Sequence, residues 1–121
     1  MYKIVTIEDK QIPMMSNGAT LREYRRFFQR DLISDFMKVQ KAVKLKKYDD
    51  FEITAMVENI TWTLAHKADP NIDDIDKWLE QFDSPFAILK KFNEIAELLD
   101  KSMKTTVKPK NLKSQKRQMK K

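Results

Sequence analysis

A single glycine, Gly18, in 121 residues constrains this chain more than any other feature. Sandwiches and barrels use glycine at bulges and tight corners, and phosphate-cradling loops need several close together. One glycine argues against all three. The chain also has no cysteine, which removes disulfides and thiolate metal sites. What remains is a helix-rich protein: 41% apolar and 35% charged residues suit packed helices better than a disordered chain. The length is one domain's worth, enough for a modest core. No stretch approaches the roughly 18–20 apolar residues that a membrane span needs. No apolar secretory core follows a basic start, so cytoplasm is the default expectation.

The glycine falls where the chain changes character. Tyr2 to Met15 alternate, with Tyr2, Ile4 and Thr6 on one side and Lys3, Val5 and Ile7 on the other; Glu8–Gln11 form a polar turn. This predicts a hairpin in which Pro13 confines the second strand to an edge. A lone hairpin is marginal in water, so it must pack on helices. Asn17-Gly18 then makes a turn that tolerates positive φ. Thr20 and Glu23 stand at capping-box spacing: the Thr20 hydroxyl is expected to accept from the Glu23 amide, and the Glu23 carboxylate from the Thr20 amide. Leu21, Tyr24 and Phe28 share the helical face that follows.

Further along, Asp31 can cap a helix carrying Leu32, Ile33, Phe36 and Met37, with Val39–Lys47 as a basic continuation or linker. Asp49 and Glu52 suggest the next cap. Beyond it Ile53, Met56, Val57, Ile60 and Leu64 share one face, and Phe51, Ala55 and Trp62 the opposite one. A helix apolar on both sides belongs between two neighbours. Asp73-Asp74 open a short helix with Ile75, Trp78, Leu79 and Phe82. Asp83-Ser84-Pro85 read as a cap with proline at the first helical position. Ile88, Phe92, Ile95, Ala96, Leu99 and Met103 form the stripe of the last helix. The expected fold is therefore mainly α (α+β), a small N-terminal hairpin on a four- to five-helix body over residues 1–103. Residues 104–121 carry too few apolar side chains to pack and are expected to form a disordered basic tail.

The formal net charge of +6 divides unevenly. Through Met103 there are 16 Lys/Arg against all 18 Asp/Glu, a balance of −2; from Lys104 there are eight Lys/Arg and no acid. Any argument for nucleic acid from the overall charge rests on that tail.

No catalytic or metal-binding pattern emerges. His66 is the only histidine and reads as a solvated helix residue, since no cysteine joins it in a zinc cluster. The serines lack a nucleophile-elbow setting. Asp73, Asp74 and Asp76 lack the glycine and terminal glutamate of a calcium loop and suit a helix N-terminus instead. The chain reads as no enzyme, with no cofactor. Arg22, Arg26 and Arg30 would share one helical stripe, either a phosphate-facing surface or a solvated face paired with acids such as Glu23. Trp62 and Trp78 suit core packing, with partner anchoring as the alternative. The tail has three readings: a segment that orders on a partner, a nonspecific nucleic-acid contact, or a solvated end. It lacks interleaved aromatics, which weakens single-strand binding.

Asn17-Gly18-Ala19-Thr20, Tyr24-Arg25, Phe28 and Asp31-Leu32-Ile33 resemble, in order, the N-terminal signature of tail assembly chaperones of long-tailed bacteriophages (siphophages) of Gram-positive bacteria. Thr63-Leu64-Ala65, Ala68-Asp69-Pro70, Trp78-Leu79, Phe82, Glu94-Ile95 and Lys104-Thr105-Thr106 continue the likeness, which covers about residues 2–106. Each piece is a weak motif; their order is the specific signal. The chain departs from the pattern at Gln29, where the family often has glycine, which leaves open whether the helices on either side break there or run on as one.

The resemblance implies a noncatalytic protein acting in the host cell cytoplasm and absent from the mature virion. Its partners would be the tape measure protein and the tail tube protein, with self-association left open. Apolar faces of an extended tape measure would aggregate if bare; Met14, Met15 and Met103 are adaptable enough to help mask them and equally suit the core. The partner surface suggested here comprises Arg22, Arg26, Arg30, Met103, Lys104, Lys108, Lys110, Lys113, Lys116 and Arg117. Gly18, Thr20, Glu23, Tyr24, Phe28, Trp62 and Trp78 have structural roles. The rival reading is a small helical DNA-binding phage protein using the arginine face and the tail. The body charge and the missing compact helix-turn-helix turn disfavour it.

Overall fold

Alternation in the first strand works as its pattern requires. The structure, a computed structural model, describes residues 1–47 and 50–104, apart from the Lys104 side chain. In β1 (Tyr2–Ile7), Val5 and Ile7 are fully buried while Tyr2 and Ile4 face outward. β2 (Lys10–Met15) pairs with it antiparallel, from Tyr2 opposite Met15 to Ile7 opposite Lys10. Only Glu8 and Asp9 remain for the turn, and Glu8 takes the positive φ, 60°, that a two-residue hairpin demands. Counting out from the turn, Pro13 lies opposite Ile4, at a position that donates no cross-strand bond. Met14 is wholly buried and takes the core role, one of the two its sequence left open.

Helices α1 (Thr20–Phe28) and α2 (Leu32–Lys44) do not run on as one. Gln29 separates them in the left-handed conformation, φ 54° and ψ 40°, its amide donating to the Arg25 carbonyl. That is the conformation glycine adopts most easily. Asp31 caps α2 by accepting from the Ile33 amide, as its position suggested.

The central helix is α3 (Phe51–Ala68), whose neighbours include β2, α1, α2 and the short helices at Ile75–Leu79 and Ala87–Lys90. Asp50 caps it, accepting from the Glu52 amide at 2.9 Å; Asp49 lies outside the described residues. All positions from Ile60 to Ala65 are buried, so this half of the helix is enclosed on every side. The Thr61 and Thr63 hydroxyls satisfy themselves by donating to the Val57 and Asn59 carbonyls. Two-sided burial fails in the first half: Phe51 is 80% exposed and Ala55 is exposed as well, because only the Ile53–Met56–Val57 face meets neighbours there.

α4 (Ile75–Leu79) starts from Asp74, whose carboxylate accepts from the Lys77 amide. Pro85 does not open a helix. Ser84 turns the chain by accepting from the Phe86 amide, and α5 (Ala87–Lys90) begins two residues after the proline. The stripe of the last helix is divided at Lys91, with Ile88 on α5 and Phe92, Ile95 and Leu99 buried on α6 (Phe92–Lys104). The described body thus has one hairpin and six helices rather than four or five. The expected disorder of the tail lies outside the described residues.

Two long-range clamps hold the hairpin. The Glu8 carboxylate accepts from the amides of Asp83 and Ser84 at 3.0 and 2.9 Å. Those two hydrogen bonds hold its carboxyl below the ordinary range. At the opposite side, Lys3 donates to Glu97 at 2.7 Å and to the Glu94 carbonyl at 3.3 Å.

Candidate functional site

The Asn17–Thr20 turn is built one residue ahead of the capping box its sequence suggests. The Asn17 side chain accepts from the Ala19 amide at 2.9 Å, and the Thr20 hydroxyl accepts from the Asn17 amide at 2.9 Å. Ala19, not Thr20, therefore occupies the N-cap position, and the Glu23 amide donates to the Ala19 carbonyl. The Glu23 carboxylate instead pairs with Lys67 at 2.6 Å, joining α1 to the C-terminal turn of α3. Gly18 has no positive φ, and a Cβ there would meet nothing within 4 Å. The turn's geometry does not depend on its being glycine.

This turn forms one wall of an open groove of about 440 Å³. Leu21 on α1 and Ile33 on α2, each 41% exposed, contribute apolar surface, and Leu99, Ser102 and Met103 of α6 close the opposite side. No charged side chain among the described residues lines it. At its edge the Ser102 hydroxyl donates to the Ser16 hydroxyl at 2.9 Å, and the Met1 ammonium donates to the Ser16 carbonyl at 2.7 Å. The arrangement suits an apolar segment and offers no group poised for chemistry.

The arginine stripe is not assembled. The break at Gln29 carries Arg30 out of the helix, where its Nε and Nη2 donate to the two Asp35 carboxylate oxygens at 2.7 and 2.8 Å. The Tyr24 hydroxyl donates to the same carboxylate at 2.7 Å. Asp35 is 2% exposed. Burial pushes its carboxyl up, but the hydrogen bonds from Arg30 and Tyr24 outweigh that and hold it below the usual range. Burial and the Asp35 contact raise the Tyr24 phenol well above its normal value. Arg22 remains exposed on α1, and Arg26 lies over the Phe27 ring, 5.4 Å from its centroid.

Both tryptophans belong to the core, each 5% exposed. The Trp62 indole donates to the Asp73 carbonyl at 3.0 Å, tying α3 to the loop before α4. Its ring stacks on His66 with centroids 4.7 Å apart, and Phe27 and Phe28 meet it edge-on. His66 is therefore packed against aromatics rather than simply solvated, and its Nδ1 is buried without a hydrogen bond. Trp78 packs edge-on against Phe82. Tyr24 is fully buried and Phe28 partly so.

Among the described partner-surface candidates Met103 reaches the groove, and Arg22, Arg26 and Arg30 do not line it. The Lys104 side chain and Lys108, Lys110, Lys113, Lys116 and Arg117 lie outside the described residues. Sequence reasoning missed Asp35, although Leu32, Phe36, Val39 and Ala42 mark the buried face on which it falls. Among the described residues no cluster of three or more acidic or imidazole groups could hold a metal. None of their helices is long and apolar enough to cross a membrane. No family model, curated protein or solved structure matches the chain.

Proposed function

We propose that the chain is a noncatalytic phage tail assembly chaperone, binding the tape measure protein and helping to recruit tail tube subunits in the host cytoplasm before the virion is complete. One observation carries the reading. The Asn17–Thr20 signature and Met103, more than eighty residues apart, line the same uncharged groove. An apolar helix face laid into it would be removed from water in the helix-in-groove manner. The basic residues that follow Met103 would steer acidic segments of the tape measure towards the groove, raising the association rate more than the final affinity. The Arg30–Asp35 pair and the broken helix weigh against the DNA-binding alternative, which loses its continuous arginine face.

The test is stopped-flow capture of tape measure fragments by the full chain, by a Leu21→Asp/Ile33→Asp variant and by a chain lacking residues 104–121. The groove variant should weaken binding by at least about tenfold, and the truncation should slow capture and flatten its salt dependence. Unchanged affinity in the groove variant would overturn the site. No capture of any fragment by the full chain would overturn the function.

A further inference from the structure

The charges on the body are sorted between two segments, one before α3 and one after it. Ahead of α3, Lys38, Lys41, Lys44, Lys46 and Lys47 follow one another without an intervening acid. All five are exposed, and among the described residues none makes an ion pair. Lys38, Lys41 and Lys47 border a groove of about 510 Å³ with Ala42, Leu45 and Ile53 as its apolar lining; Asp50, the cap of α3, also lines it, so the lysines outnumber the acid three to one. Leu45 is 53% exposed, and Phe51, which falls between the lining residues Asp50 and Ile53 in the chain, is 80% exposed. Beyond the other end of α3, Asp69–Asp83 contains six acids against one lysine, Lys77. These acids are exposed and likewise make no ion pair among the described residues. Half-buried Glu58 reports the local field: burial, and then the charge of Asp76, raise its pKa. Ile75 and Leu79 add half-buried apolar surface to this segment.

The lysines belong to α2 and the turn after it, the acids to the α4 segment that folds back beside Glu58 and Trp62, and among the described residues no ion pair joins the two sets. Two molecules can make the pairing that one leaves unmade. We propose that the acidic α4 segment of a second copy docks on the basic α2–α3 groove. Made twice about a two-fold axis, the contact closes as a dimer; made once, it leaves a free end of each sign and can lengthen, and the mass reached at low salt distinguishes the two. The apolar floor at Leu45 and Ile53, together with exposed Phe51, would be covered by the Ile75–Leu79 side of the incoming copy.

Sedimentation velocity of the full chain at about 50 mM and about 500 mM salt tests this. The expected result is a concentration-dependent mass above the 14.4 kDa monomer at low salt, returning to monomer at high salt. Lys41→Glu/Lys44→Glu and Asp73→Lys/Asp76→Lys should each weaken association by at least about tenfold. An equimolar mixture of the two should associate again, because each native end then finds its native complement. Phe51→Ser should weaken association while leaving its salt dependence in place. Circular dichroism and thermal melts establish that each variant is folded. A monomer at every salt would overturn the proposal, as would association that survives both charge reversals. So would loss of association on removing residues 105–121 while the lysine variant retains it, since the acidic end would then be meeting the tail. A monomer that binds an acidic amphipathic model helix through the lysine groove would assign that groove to a different protein and equally overturn it.

Discussion

Replacing Asp35 by alanine should be the most damaging single change at the α1–α2 junction. Its carboxylate accepts from Tyr24 and twice from Arg30, all within 2.8 Å. Tyr24 is fully buried, so its hydroxyl would lose its charged partner and keep only the neighbouring Asn59 side chain. Losing the charged acceptor costs about 1–3 kcal/mol. The Arg30 side chain is 44% exposed and can rehydrate, so its half of the loss is screened to about 1 kcal/mol or less. Alanine also removes the cost of burying a carboxylate, which offsets part of this and leaves a net loss of about 1–3 kcal/mol. For a domain of this size that lowers the melting temperature by roughly 10 °C. Urea unfolding followed by tryptophan fluorescence measures it directly. Tyr24→Phe alone should cost about 1 kcal/mol, and adding it to Asp35→Ala should cost almost nothing more, since both remove the same bond. The pH dependence has a definite sign. Asp35 has a depressed folded pKa, so its contribution is present above the unfolded value, about 3.9, and disappears as pH falls through the folded value. Asp35→Ala should flatten that acid limb. A loss below about 0.5 kcal/mol, or additive effects of the two substitutions, would refute the account of a shared buried acceptor.

Gln29→Gly should stabilise the chain by about 0.5–1 kcal/mol through relief of the left-handed strain, less the bond from the Gln29 side chain to the Arg26 carbonyl; a fall in melting temperature would show that the side-chain bond dominates. Glu8→Gln should speed hydrogen exchange at the Asp83 and Ser84 amides while leaving the hairpin register intact, and unchanged exchange at both would remove the clamp. With wild-type protein, the same protection should be present above the usual glutamate pKa and fade as pH falls through the lowered folded value. Trp62→Phe leaves the Asp73 carbonyl without its indole donor and opens space among Phe27, Phe28 and His66, and should cost about 1–3 kcal/mol in equilibrium unfolding.

The hairpin was legible because period-two alternation in Tyr2–Ile7 admits one inner face, and β1 buries the half containing Val5 and Ile7. Asp31 was legible as a cap for the same reason of local sufficiency: the residue, its neighbours and the bond lie within three positions. Errors arose where a local rule met a competitor. Thr20 lost the cap role because the Asn17 side chain reached the Ala19 amide first and shifted the turn by one residue. Arg22, Arg26 and Arg30 form a stripe only on an unbroken helix, and the left-handed residue at 29 rotates the third away towards Asp35. Phe51 looked buried because periodicity reports which residues share a face, not whether a neighbour reaches that turn of the helix. The candidate groove was invisible for a related reason. Its walls come from residues 16–21, 33 and 99–103, and nothing local ties those segments together.

The contacts of β1 with α6 have a consequence in time. Lys3 meets Glu97, and Ser16 meets Ser102, across 94 and 86 residues of sequence. β2 can settle on α3 once residue 68 has left the ribosome, but β1 must wait for almost all of the described chain. At roughly 5–20 residues per second that delay is on the order of 5–20 s. Through that interval the Val5–Ile7 side of the hairpin lacks the helix that seals it, and α6 is the strip whose arrival ends its exposure. Nascent chains arrested before residue 92 should therefore recruit chaperones that bind bare apolar strands, and should release them once α6 has emerged.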